Sequence, residues 1–241
     1  MTLKDCQKAG REGKFRLRSN TMIMRYVSTI AILAACTVLL AGGTASSQTT
    51  PRAGLPVLTT SAGQSADVET LNVIMEEAGI KYDYCDVPTV DLFGSGVGLA
   101  GKQSSASGFH VESHTDQAVF PAGTPFKTVI FAIGASLKGM GASGLTLEAE
   151  EARLKKLIDY CKQKKIFIMA VHVGGSALRG APGSDNERMI DAVAPFADYL
   201  VVTKDSNKDG RFTKLAKSRN IPLTEIDYAL DLVDIVKQVL L

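Results

Sequence analysis

Tryptophan is absent from this 241-residue chain, histidine occurs three times, cysteine four times, and aromatic residues together make up 6%. So few cysteines cannot frame a small disulfide-built domain. The two beyond the first 45 residues, Cys85 and Cys161, read as free thiols. Cys161 follows Leu154, Leu157 and Ile158 at helical spacing, which turns it toward a core. There is no Gly-x-Ser-x-Gly elbow, no Cys–His pair at a catalytic spacing and no internal repeat. Nor is there a P-loop: in Gly134-Ala-Ser-Leu-Lys138-Gly-Met-Gly141 the lysine precedes its glycine and no Ser or Thr follows it. A basic footprint is missing too. Residues 1–45 hold seven basic and two acidic residues; the remainder holds 20 basic and 23 acidic, a net of −3. That balance argues against a nucleic-acid partner. What is present is 45% hydrophobic residues and 22 glycines, which suit a compact α/β protein better than a coiled coil or a disordered chain.

Residues 1–45 have the order of a secretory leader. Arg25 precedes an apolar stretch from Tyr26 to Ala41, then come the small residues Gly42 to Ser47, with Gly43 and Ala45 fitting cleavage after Ala45. Met22 or Met24 would be a more usual start. The apolar run is short for a membrane span. Leu33-Ala34-Ala35-Cys36 fits a lipobox, but the chain beyond Cys36 stays apolar where a mature lipoprotein turns polar. The expectation is an exported protein, periplasmic or extracellular. Membrane attachment would come only through an uncleaved leader or lipidation at Cys36. Residues 46–54 read as a linker and 55–241 as one α/β domain.

Within that domain, short β-branched apolar runs alternate with amphipathic segments. The run Val129 to Ile133 reads as a buried central strand, followed by a loop with four glycines. Others are expected at 55–60, 166–171, 199–202 and 221–226, with a short edge strand at 80–85 ending in Cys85. Ser65 is an expected N-cap, Ser184 and Glu187 an expected capping box, Thr146 a cap for a helix from Leu147 to Gln163, and Asp227 the cap of the last helix. Asp67, Glu148, Glu150 and Glu151 suit the positive helix ends. The alternation predicts a doubly wound, mainly parallel sheet of five to six strands with helices on both faces, a flavodoxin-like or Rossmann-like three-layer sandwich. Residues 88–126 form a long Gly/Ser-rich insertion with room for a short helix near Val90 to Leu92. A loop of that length is functional or mobile.

In such a sheet every strand-to-helix loop emerges at one edge. That edge collects Ser61, Gln64 and Ser65, then Ser136, Lys138 and Gly139, then His172, Arg179 and Asp185, and last Lys204 and Asp209. Hydroxyls, glycine N–H groups, lysines and an arginine suit a phosphate or carboxylate. The first expectation is therefore a binding domain for a small anionic ligand, with Lys138 and Arg179 as charge partners. A second is a hydrolase or transferase with His172 as general base, assisted by Asp185 or Asp209. A third is a structural partner in a cell-envelope complex. No cofactor motif is present. His110-Val-Glu-Ser-His114 with Asp116 offers metal-type ligands but reads as a surface loop. Asp205 to Gly210 begins like a calcium loop but carries Ala216 at the twelfth position, so it reads as an Asx-rich turn and no metal is expected.

Thr60-Ser61-Ala62-Gly63-Gln64-Ser65, the Gly134–Gly141 segment, and His172-Val-Gly-Gly-Ser-Ala-Leu-Arg179-Gly180 followed by Ser184-Asp185 together resemble a bacterial family of exported proteins labelled only as a domain of unknown function. The resemblance runs from Leu55 to the C-terminus. It departs at Leu178, where the family pattern has a second arginine, so a two-arginine clamp is not implied. It implies the fold and export, and no activity.

Overall fold

The structure is a computed structural model and describes residues 50–105 and 108–241. The expected leader, its expected cleavage site and Cys36 lie outside the described residues. Among the described residues no helix is long and apolar enough to cross a membrane.

Seven strands form one sheet: β1 (Val57–Ala62), β2 (Asp83–Cys85), β3 (Val111–Ser113), β4 (Thr128–Ile133), β5 (Phe167–His172), β6 (Tyr199–Thr203) and β7 (Leu223–Ile226). Their order is β3-β2-β1-β4-β5-β6-β7, with β3 antiparallel and every other pair parallel. The central strands are apolar throughout because both faces are covered. Along β4 the side chains alternate: Val129, Phe131 and Ile133 enter one core cluster and Ile130 and Ala132 the other. The first cluster takes the inner faces of α4 (Leu147–Lys164), α5 (Asp185–Val193) and α6 (Arg211–Arg219). The second takes those of α1 (Asp67–Glu77) and α7 (Leu232–Leu240). Two short helices, α2 (Val90–Gly94) and α3 (Leu137–Ala142), complete the set. This is the expected three-layer α/β sandwich.

Several local expectations change. The 80–85 strand is not an edge, because β3 from the Gly/Ser-rich insertion pairs outside it. The insertion is tied down by the fully buried Asp83, whose carboxylate accepts from Gly98 N at 2.7 Å, Ser113 Oγ at 3.0 Å and Thr115 N at 3.1 Å. Phe93 of α2 packs on Phe126 and Tyr160. The glycine-rich stretch after β4 is the helix α3, capped by Ser136 Oγ on Gly139 N at 3.0 Å. Thr146 caps α4 as expected. Asp227 does not cap the last helix. Asp231 receives the N–H groups of Asp227 and Tyr228, and Asp227 pairs with Lys204. Cys85 and Cys161 are free and buried in the same cluster, and burial raises both thiols to about 12.

Candidate functional site

The connections from β1 and β4 leave in opposite directions. β1 feeds α1 on one face and returns to β2; β4 feeds α3 and α4, with α4 packing on the opposite face, and returns to β5. Neighbouring strands whose connections diverge leave a crevice at their carboxyl ends. A cleft of about 810 Å³ lies here. It is lined by Gln64, Ser65 and Glu69 after β1, Tyr84 and Asp86 at the end of β2, His110 and Glu112 by β3, and Ser136, Lys138 and Gly139 after β4.

Gln64 is the hub of this edge. It holds a left-handed backbone with φ of 59°, stabilised by Ser61 Oγ accepting its N–H at 2.9 Å. Its side-chain Nε2 donates to the Asp86 carbonyl at 3.0 Å. Its own carbonyl lies so close to Gly139 that a Cβ there would overlap it. The glycine therefore lets α3 approach the β1 loop, rather than exposing an N–H for an anion. Gly63 is likewise required: it has φ of 101°, and a side chain would collide with the Gly134 carbonyl and Met189.

Beneath this loop sits an ion pair that charge patterning hides. Glu150 is fully buried and accepts from Gly63 N at 2.9 Å and from Arg153 Nη2 at 2.6 Å. Arg153 Nη2 also donates to the Ser61 carbonyl at 2.8 Å. On the sequence Glu150 is one more acid in a first helical turn; its i+3 arginine was the available signal. Asp67 departs from the dipole reading in the same way. It is buried, accepts from Gly174 N at 2.9 Å, and burial raises its carboxyl to about 6 against those backbone bonds.

Ser65, Gln64, Ser136, Lys138 and Gly139 thus line one cleft, and Lys138 is exposed. Ser61 sits behind the wall, fully buried. His172, Asp185 and Arg179 do not line the cleft. The His172 ring is fully buried, with Nδ1 at 2.8 Å from Ser206 Oγ and Nε2 at 3.0 Å from the Leu178 carbonyl. Burial pushes it down to about 4. A general base needs a ring nitrogen facing its substrate, and neither nitrogen does. No hydrogen bond or ion pair joins Asp185 to it among the described residues; the adjacent Asn186 holds Ala135 N at 2.8 Å. Arg179 binds Glu187 at 2.6 Å and Asp209 at 2.7 Å and lies over the Phe212 ring. Its charge is already compensated, so it is not an open anion partner. Glu187, drawn into this network with Arg211, does not complete a capping box, and Ser184 Oγ is left buried without a partner.

The cleft also carries charge that was not anticipated. Glu69, Glu76, Asp86 and Glu112 line it together with Lys138 and His110. Glu112 binds His110 Nε2 at 2.7 Å and His114 Nε2 at 2.8 Å, and these bonds hold its carboxyl below the usual range. Among the described residues no group of three or more metal-type side chains is arranged to hold an ion.

Residues 54–240 match the model of a family described as a domain of unknown function, DUF6305. The chain belongs to that family. Neither the curated proteins nor the solved structures yield a significant match. The match covers every strand and helix described above, so the cleft lies wholly within the DUF6305 domain.

Proposed function

We propose that this DUF6305 domain is an exported binding module for a small polar ligand bearing an acidic group, held in the cleft at the carboxyl ends of β1 and β4. One observation carries the reading: two loops far apart in sequence bring Gln64, Ser65, Ser136, Lys138 and Gly139 to one cavity of about 810 Å³, at the switch point of the sheet. That is where open α/β sheets bind ligands. Lys138 is the cation for the acidic group. Binding is preferred to turnover because His172, the histidine at the carboxyl end of β5, is sealed in the interior. A thermal-shift screen of phosphates, carboxylates and amino acids tests it. Some members should raise the melting temperature of the parent and raise that of Lys138→Ala less; a parent indifferent to all three classes ends the proposal. Export is checked separately, by N-terminal sequencing of the mature chain, expected to start after Ala45.

A further inference from the structure

Among the described residues, Asp86 is the one buried acid that lines the cleft, and it makes no salt bridge. Its residue is 6% exposed. Its carboxylate receives the Val87 N–H at 2.7 Å and a second backbone hydrogen bond at His110, and the charges of His110 and Arg153 act on it from beyond salt-bridge distance. Three other buried acids are provided for. Asp83 has three donors, Glu150 has Arg153, and Glu187 has two arginines. Holding a buried carboxylate without a direct salt bridge costs free energy that a bound cation recovers. The site also has direction. Gln64 stands between Asp86, whose carbonyl it holds, and Gly139, which follows Lys138. Asp86 and Lys138, residues of opposite charge, thus line one cleft beside Gln64.

Resting on the binding function proposed above, we infer that the ligand is a zwitterion, with an ammonium group seated on Asp86 and its acidic group on Lys138. Glu69 and Glu76, exposed in the same cleft, favour an ammonium over a neutral hydroxyl pair as the Asp86 partner, whereas Glu112 is already bonded to His110 and His114. Their charge attracts a cation more strongly than a neutral diol and repels a ligand that is purely anionic.

The test is calorimetric titration of the full domain with glycine, β-alanine, γ-aminobutyrate and lysine, each beside its counterpart lacking the α- or ω-amino group. Amide chemical-shift changes at Gln64, Ser65 and Ser136 locate the binding. The amino compounds should bind about ten- to a hundredfold tighter than their counterparts, the usual weight of a hydrogen bond to a charged group. Asp86→Asn should erase that preference, and Lys138→Gln, at an exposed site, should weaken both series. Equal binding of both series to the parent overturns the zwitterion and leaves the acid-binding function standing. No binding by either series overturns both. The comparison on the parent needs no variant, so a failure of Asp86→Asn to fold does not shelter the inference.

Discussion

Removing Glu150 should damage the domain more than removing any exposed acid of α4. The carboxylate is fully buried and serves two donors, Gly63 N–H and Arg153. In Glu150→Ala the guanidinium, 11% exposed, loses its counter-charge, and the Gly63 N–H loses its acceptor. Breaking one side of a buried pair costs about 3–5 kcal/mol. Arg153→Met should cost a similar amount, because the carboxylate is then left buried with one backbone donor. The double variant Glu150→Gln/Arg153→Met removes both charges and keeps an amide oxygen for Gly63, so it should lose only about 1–2 kcal/mol. With no tryptophan in the chain, the assay is urea unfolding followed by far-ultraviolet circular dichroism. At a slope of about 2 kcal/mol per molar urea, each single variant should shift its midpoint down by roughly 2 M and the double by under about 1 M. If the singles fall by less than about 1 kcal/mol, or if the double equals the sum of the singles, the pair is not a coupled buried unit and the pinning of the β1 loop is wrong.

Gly139→Ala and Gly141→Ala share a helix and should move in opposite directions. The first collides with the Gln64 carbonyl and should lose about 1–3 kcal/mol, while the second meets open space and should gain up to about 1 kcal/mol in the same urea assay; equal effects would remove the close approach of α3 to the β1 loop. His172, neutral and buried with its pKa pushed down to about 4, leaves the unfolded chain binding more protons between about pH 6.5 and 4, so its contribution to stability falls with acidification through that window. Asp67, raised to about 6 by burial, works the other way, and its contribution falls as pH rises from about 4 to 6. The two slopes should nearly cancel between pH 4 and 6, and Asp67→Asn should uncover a loss on acidification of the order of 3 kcal/mol, measured by urea midpoints across that range; a variant as flat as the parent would refute both assignments.

The layered fold was legible because its signals are periodic. β4 and β5 are short apolar runs bounded by polar turns, and α4 carries its cap and charge order in plain sight. The strand β3 was not legible: three residues with one buried position give no alternation to detect, and its place is fixed by Asp83, a contact made across about thirty residues. At the site, sequence order identified the loops, because strand ends of a parallel sheet share an edge. It did not say which side chains on those loops face outward. Gln64, Ser136 and Lys138 line the cleft, whereas His172 and Arg179, the residues with the most suggestive chemistry, turn inward to Ser206 and to Glu187. A histidine or arginine between glycines reads alike in either role until its neighbours in space are known.

The inward turn also explains why the cleft belongs to one half of the sheet edge. At the end of β5 and β6 the fold has gathered comparable chemistry: His172, Arg179, Ser206, Asp209 and Arg211. There each charge is matched within the protein, Arg179 by Glu187 and Asp209 and Arg211 by Glu187 and Asp191, and the imidazole is closed between a hydroxyl and a carbonyl. A ligand arriving there would have to displace ion pairs of a buried glutamate, and that loss would exceed what one exposed contact returns. At β1 and β4 the matched charges, Glu150 and Arg153, lie underneath the loop, while Glu69, Glu76 and Lys138 are exposed at the cleft and Asp86 lines it without a salt bridge. The pair that is satisfied holds the floor rigid, and the groups that are not satisfied are the ones a ligand can meet. On this reasoning Asp86 and Lys138 can be changed without unfolding the scaffold far more readily than Glu150 or Glu187, and loss of ligand response without loss of stability is the signature expected of a working residue in this domain.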